Sequence, residues 1–188
     1  MIDGASVGSW IDRWRERMPH VTLEIVPLEF PTQREALPSL NAALVRLPLD
    51  DHELHVIRLY DEVPVVVASA DSHLLAADEL ETGDLAGETL IVPADSAFGA
   101  LEIPGTLAPR FPPLERTADA IATAASGVGI VVTPMSLARL HHRKDADYRP
   151  LRGGPTSTVA LVWPREKTTP DVETFVGIVR GRTANSSR

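Results

Sequence analysis

Apolar positions near the start of the chain first follow helical spacing. They recur every three or four residues opposite a charged face, which predicts an amphipathic helix with Ser6 as its N-cap and Pro19 as its end. The apolar positions of this helix are Val7, Trp10, Trp14 and Met18.

The pattern then changes to strand alternation and back. Residues 21–26 alternate between apolar and polar side chains, which predicts a strand. Thr32 and Glu35 match a capping box, which predicts the start of a short helix. Residues 42–46 predict an apolar strand that ends in Arg46. With residues 2–5 counted as a first strand, the order is βαβαβ, which predicts a mostly parallel sheet.

Later apolar runs predict more strands. They are short and lie at 55–60, 63–69, 90–93, 114–117 and 159–163. The proline-rich stretch 97–113 predicts irregular structure, and Thr169-Pro170-Asp171 predicts the start of a last helix.

Residues 117–140 carry the clearest local pattern. A helix is followed by the turn Gly127-Val-Gly129, a buried strand at 130–133, and Pro134 at the start of another helix. Glycine allows a positive φ and a close approach of helix to strand at such a turn. The segment predicts an α/β layered domain, with Thr133 at the end of its strand.

Two similar α/β blocks with a return to the first predict two Rossmann-like lobes joined by two crossover strands. The expected lobes are 1–65 with 160–188, and 66–159. A cleft between such lobes is a common site for small ligands.

Net charge and composition restrict the classes of binding partner that this segment can have. The net charge is −8, which argues against nucleic acid as a direct partner of this segment but leaves open DNA binding by a separate domain. Cysteine is absent, and neither a secretory signal nor a run of roughly 18 apolar residues is visible, so we expect a cytoplasmic chain with no membrane partner.

Catalytic and cofactor motifs are weak. Gly4-Ala-Ser6-Val-Gly8 has the letters of a nucleophile elbow, but its serine would follow a very short strand at the terminus, so a helix cap or a polar-ligand site is favoured. The adjacent His141 and His142 point apart on a helix. Gly127 and Gly129 follow a helix, whereas a dinucleotide motif needs a strand there. We expect no catalytic residue, metal or cofactor.

Candidate ligand contacts lie at strand ends and helix starts. Arg46 ends a buried strand and can hold a carboxylate or phosphate, or can form a surface salt bridge instead. Ser6 and Thr32 are helix caps that can also meet a ligand, and Phe98 and Thr133 would face the same cleft from the second lobe.

Several segments, in order and spacing, resemble the effector-binding domain of LysR-type transcriptional regulators, which is similar to a type-II periplasmic binding protein. The resemblance covers nearly the whole chain and rests on Gly4-Ala-Ser-Val-Gly8, on the segment from Trp14 to Leu23, on Asn41-Ala-Ala-Leu-Val-Arg46-Leu-Pro, on the segment from Ala86 to Ile91, and on Ala124-Ala-Ser-Gly127-Val-Gly129-Ile-Val-Val-x-Pro134.

The resemblance implies a sensor of a small anionic or polar effector. It implies effector contacts at Ser6, Val7, Thr32, Gln33, Arg46, Ala97, Phe98 and Thr133. It further implies a homodimer through this domain, a tetramer at full length, and DNA binding by an N-terminal winged helix-turn-helix that this chain lacks. The alternative is a solute-binding protein of a transporter; an enzyme on the same fold is a third class without a supporting acid–base pair.

Overall fold

The computed structural model describes residues 4–49 and 52–183, with side chains for 7–49 and 52–181. The helices are α1 (Gly4–Arg17), α2 (Gln33–Ala36), α3 (Thr117–Ala125), α4 (Met135–Leu140) and α5 (Pro170–Thr183). The strands are β1 (Ala43–Arg46), β2 (Leu54–Glu62), β3 (Pro64–Ser69), β4 (Leu80–Glu81), β5 (Val131–Pro134), β6 (Ala146–Arg152) and β7 (Ser157–Pro164). Short 3₁₀ helices lie at Phe30–Thr32, Leu37–Ser39, His73–Ala76, Thr82–Leu85 and Arg165–Lys167.

The chain folds into two compact units. Unit 1 comprises Met1–Tyr60 and Thr158–Arg188, and unit 2 comprises Asp61–Ser157. The chain passes from one unit to the other within β2 and within β7. The lobe boundaries proposed from the sequence differ from these divisions by a few residues and stay a prediction.

Unit 1 is built on a sheet with the order β1-β7-β2. Alternation along the strands places Leu161 and Trp163 against α1 and α5 on one face. Ala160 and Val162 face the opposite side, where Leu37 covers them. The sheet therefore has one core on each face, and β1 lies at its edge.

The start of α1 differs from the prediction. The helix begins at Gly4, so Ser6 lies in its first turn and not at the N-cap, and the side chain of Ser6 is outside the described residues. Gly4 and Ala5 are helical, which overturns that part of the expected first strand, and residues 2 and 3 are outside the described residues.

Unit 2 is built on a sheet with the order β4-β6-β3-β5. Strand β3 pairs antiparallel with both β5 and β6, and only the short β4 pairs parallel, with β6. Strands β1 and β7 of unit 1 are also antiparallel. The expectation of a mostly parallel sheet is therefore wrong, because β1 pairs antiparallel with β7, and β3 pairs antiparallel with both β5 and β6.

Several other predicted elements differ. Residues 21–26 have no strand assignment, with Ile25 and Val26 at least half exposed, and 114–117 lead into α3 without forming a strand. Residues 90–93 contribute only an isolated bridge, Leu90 to Ile130. Strand β6 was not predicted, although it lies inside the sheet of unit 2.

Apart from the two-residue β4, for which no strand was predicted, the remaining strands and helices agree with the pattern within a few residues. The Oγ1 of Thr169 accepts a hydrogen bond from the Val172 amide at 3.3 Å, as expected of the N-cap of α5. Across residues 4–49 and 52–183, the helices are too short or too polar to span a membrane.

Candidate functional site

Gln33 and Arg46 form a buried clamp at the carboxyl end of β1. The Gln33 Nε2 donates to the Arg46 carbonyl at 2.7 Å, and the Arg46 amide donates to Gln33 Oε1 at 3.1 Å. Because β1 is an edge strand, the side-chain amide of Gln33 supplies the backbone bonds that a neighbouring strand would otherwise make. Gln33 is only 7% exposed, so this clamp ties the start of α2 to the end of β1.

Thr32 precedes α2 but does not cap it with its side chain. Its Oγ1 donates instead to the Glu29 carbonyl at 3.4 Å. The predicted capping box is therefore wrong, because the 3₁₀ helix Phe30–Thr32 runs directly into α2 and turns the hydroxyl back toward Glu29.

Arg46 ends β1 opposite Val159 of β7 and is buried. Strand alternation puts its side chain on the same face as Leu44, which packs against the core of α1 and α5. Val7 of α1 packs against the same core. Within unit 1, Arg46 and Val7 thus share a face, while Gln33 reaches the edge of β1.

In unit 2, Ala97 and Phe98 belong to a turn that Asp95 anchors. The Asp95 Oδ1 accepts hydrogen bonds from the Thr117 amide and the Thr117 hydroxyl, both at 2.7 Å, which fixes the turn to the start of α3. The buried Ser96 accepts from the Phe98 amide through its Oγ at 3.3 Å. Asp95 and Ser96 were missed by the sequence analysis; the polar pair Asp95-Ser96 directly after an apolar run was the available signal.

The Ala97 amide is a donor available to a ligand. Within residues 4–49 and 52–183, this N–H has no acceptor. The Ser96 hydroxyl hydrogen is also available, because its oxygen is the acceptor in the bond from Phe98. The turn therefore offers adjacent donors of the kind that bind a carboxylate or another polar group.

The structure does not bring the side chains of Phe98 and Thr133 to one face of the sheet. Phe98 packs against the core that contains Val66 and Val132. Thr133 pairs with Val65, whose side chain belongs to the core on the other face. Thr133 is 3% exposed at its position in β5.

The predicted glycine turn between α3 and β5 is confirmed. Gly127 has a φ of +82°, and a Cβ on Gly129 would lie 2.4 Å from the Thr89 carbonyl oxygen. The first glycine supplies a left-handed conformation and the second a close backbone contact. This turn is structural.

His141, which follows α4, is a titratable residue that interacts electrostatically with Asp95 of the turn described above. Burial is the main cause that lowers the pKa of His141, and the negative charge of Asp95 opposes the shift. The shift favours the neutral form of the ring. In the part of the chain that the structure describes, no group of three or more His, Cys, Asp or Glu residues is arranged to hold a metal ion.

Comparisons with known proteins extend over both units. The family model described as "LysR substrate binding domain" matches residues 4–184. Among curated proteins, none matches the chain significantly.

Solved structures share the fold at low sequence identity. The reduced OxyR regulatory domain from Pseudomonas aeruginosa is 20% identical with a TM-score of 0.69, over 97% of this chain and 92% of that one. The BenM effector binding domain with its effector benzoate is 17% identical with a TM-score of 0.73, over 97% and 90%. Full-length CbnR complexed with its target DNA is 16% identical with a TM-score of 0.70, over 96% of this chain and 66% of that one.

Proposed function

Because the chain belongs to the LysR substrate binding domain family, we propose that it is the effector-sensing domain of a LysR-type transcriptional regulator. The match over residues 4–184, which runs through both units, carries this proposal. The fold shared with a domain that binds benzoate and with a regulator on its target DNA supports it. The family also favours a regulator over the solute-binding protein of a transporter.

The proposed effector is a small polar or anionic metabolite. In unit 1, its contacts are Arg46, which offers a guanidinium for an anionic group, together with Ser6, Val7 and Thr32. In unit 2, they are the Ala97 amide and Phe98; the expected contact at Thr133 is not retained, because its side chain lies on the opposite face of the sheet from Phe98. Gln33 takes a different role from the one expected: its amide is used to hold Arg46, so it positions the contact residue.

The proposed output is a change in assembly and not a chemical reaction. The effector shifts the population between two arrangements by its difference in affinity for them. In the proposal, the domain forms a homodimer in the cytoplasm, the full-length protein forms a tetramer, and a winged helix-turn-helix in that protein binds DNA.

The test begins with a thermal-shift screen of small carboxylates, with benzoate among them, because a ligand that binds the folded state raises the melting temperature. For a compound that binds, calorimetry then compares Arg46→Ala and Ser6→Ala with the parent chain. Loss of a charge-assisted or buried hydrogen bond should weaken affinity by about 1–3 kcal/mol, roughly 5- to 150-fold.

The control variant is Arg13→Ala, which removes an exposed arginine of α1 and should leave affinity unchanged. Because Arg46 is buried, the unfolding of ligand-free Arg46→Ala is measured as well, so that a loss of folding is not read as a loss of contact. Unchanged affinity in both Arg46→Ala and Ser6→Ala would overturn the assigned contacts.

A further inference from the structure

A surface cavity of unit 2 has none of the proposed effector contacts in its lining. Its volume is about 610 Å³, and its walls come from the 3₁₀ helix His73–Ala76 with the residues before it, the segment after α4, and β6. Its polar lining residues are Ser72, His142, Arg143, Lys144, Asp147 and Arg149. The cavity lies entirely within unit 2 and is large enough for a small ligand.

The charge of this cavity is opposite to that of its surroundings. Residues 61–157 contain seven Lys or Arg against fourteen Asp or Glu, a formal charge of −7. Three of those seven cations line this cavity, with Asp147 as the one acidic residue in its lining. Arg149 pairs with Asp147 and Arg143 with Asp145, so the three cations and two carboxylates leave a net charge of about +1, carried by Lys144, on a unit that is otherwise negative.

Two of these cations, Arg149 and Arg143, are bonded to neighbouring residues of the protein. Arg149 donates to the carbonyls of Leu75 and Ala77 at 2.8 and 2.7 Å and forms an ion pair with Asp147 at 2.9 Å. Arg143 pairs with Asp145 through two hydrogen bonds of 2.8 and 2.9 Å. The bonds of Arg149 hold the 3₁₀ helix His73–Ala76 and the adjoining Ala77 against β6, and the pair of Arg143 with Asp145 joins two residues of the segment between α4 and β6.

One basic group remains for a ligand. Within the described ranges, the exposed Lys144 ammonium makes neither a hydrogen bond nor an ion pair, whereas the His142 ring interacts electrostatically with Asp147. The Ser72 oxygen accepts from the Leu74 amide at 3.3 Å, so its hydrogen can be donated into the cavity. The Lys144 ammonium and the Ser72 hydroxyl lie in a cavity that Arg143 and Arg149 also line. These donors suit a compact ligand with several acceptor oxygens.

We propose that this cavity is a second binding site of the domain, for a multivalent oxyanion such as a phosphate group or a polycarboxylate, with Lys144 as its main contact. The proposal does not depend on the effector contacts of the proposed function, because the two sets of residues do not overlap.

The experiment titrates the isotope-labelled chain with inorganic phosphate and, separately, with citrate at constant ionic strength, and follows the amide resonances. We expect saturable shifts at Ala70, Ser72, Lys144 and Ala146 with at least one of the two anions. Saturation by phosphate alone or by citrate alone supports the site and identifies its ligand class. Shifts that stay linear and match those caused by sodium chloride would overturn it.

Lys144→Gln should weaken binding about tenfold, because it removes a charged donor. Arg116→Gln makes the same change of charge at an exposed position of unit 2 outside the cavity and should change binding less than about twofold. Lys144→Arg keeps the charge and should bind nearly as well as the parent. Equal weakening by Lys144→Gln and Arg116→Gln would mean that net charge alone attracts the anion, and would overturn the site.

Discussion

At the scale of single residues, Gln33 shows how a polar side chain can belong to the core. Both ends of its amide are hydrogen-bonded to the main chain of Arg46, and the side chain is buried. A buried polar group is tolerated because its partners replace the water that it loses. The glutamine is therefore part of the sheet as much as of the helix that carries it.

Replacing Gln33 with methionine should destabilise the protein. The substitution keeps the length of the side chain but leaves the amide and carbonyl of Arg46 without these partners, which should cost about 1–3 kcal/mol. Urea unfolding followed by tryptophan fluorescence measures this, since Trp10, Trp14 and Trp163 all lie in unit 1. Glu35→Met is the control on an exposed position of the same helix. Equal stability of the two variants would contradict the role of the clamp.

At the scale of elements, the turn between α3 and β5 depends on two glycines for different reasons. Gly127 needs the left-handed conformation, whereas Gly129 has no room for a Cβ beside Thr89 and Ile91. The residues that press on Gly129 lie some forty positions away in the chain. Its requirement for glycine is therefore a property of the packed unit.

Gly129→Ala should lower the free energy of unfolding by about 1–3 kcal/mol, the usual range for overpacking. Far-UV circular dichroism during urea unfolding measures the change. Gly83→Ala is the matched control, because an added Cβ there meets no atom within 4 Å and the φ of Gly83 is not in the left-handed region. A Gly129→Ala variant as stable as this control would show that the close approach is absent.

On strand β6, the ion pair between Arg149 and Asp147 contributes to the stability of the fold. The hydrogen bond from Arg149 lowers the pKa of Asp147 below the ordinary value of an aspartate. A carboxylate with a lowered folded-state pKa stabilises the fold above its unfolded pKa, and this stabilisation is lost as the pH falls through the folded-state pKa.

Asp147→Asn should therefore be less stable than the parent chain at pH 7. Because the Asp147 side chain is 55% exposed, the two free energies of unfolding should differ by less than about 1 kcal/mol. This difference should diminish as the pH falls through the folded-state pKa, below the ordinary range of an aspartate, because the carboxyl group of the parent then becomes protonated. Urea midpoints between pH 2 and 7 test this, with Asp71→Asn as an exposed control. A difference that persists unchanged at low pH would exclude the ionic explanation.

At the scale of the whole molecule, two separate sheets give two sets of cores. Val131 and Val162 are both fully buried, the first in unit 2 and the second in unit 1. All three tryptophans are in unit 1, so their fluorescence reports that unit, whereas circular dichroism reports both.

Val131→Ala and Val162→Ala should each cost about 1–3 kcal/mol. If each core is stabilised independently, Val131→Ala lowers the urea midpoint seen by circular dichroism and leaves the fluorescence midpoint in place, while Val162→Ala lowers the fluorescence midpoint. Equal shifts of both probes in both variants would show instead that the two units unfold together.

Much of the fold was predictable, because several elements carry their own signals. The spacing of Trp10 and Trp14, the start signal at Thr169 and the glycine turn at Gly127 each predicted an element that the structure contains. Strand β6 has no such signal, since Asp147, Arg149 and Arg152 interrupt any apolar pattern. Its strand conformation comes from pairing with β3 and β4.

The candidate contacts were predictable to a smaller extent. Arg46 was identified from its place at the end of an apolar strand, and it is buried there. The expected caps at Ser6 and Thr32 were wrong, because α1 begins earlier and a 3₁₀ helix precedes α2. Which partner a hydroxyl chooses depends on the geometry of the preceding turn, and a four-letter capping motif does not describe that geometry.

The sequence by itself determined the helices, most of the strands, the glycine turn and the order of motifs that the family shares. Those features depend on local spacing and on backbone conformations that single residues allow or forbid. Tertiary structure alone decided the antiparallel pairing, the inclusion of β6, the placement of Phe98 and Thr133 on opposite faces, and the use of Gln33 to hold Arg46. Each of these depends on contacts between residues distant in the chain, and such contacts follow from burial and hydrogen-bond satisfaction across the whole unit.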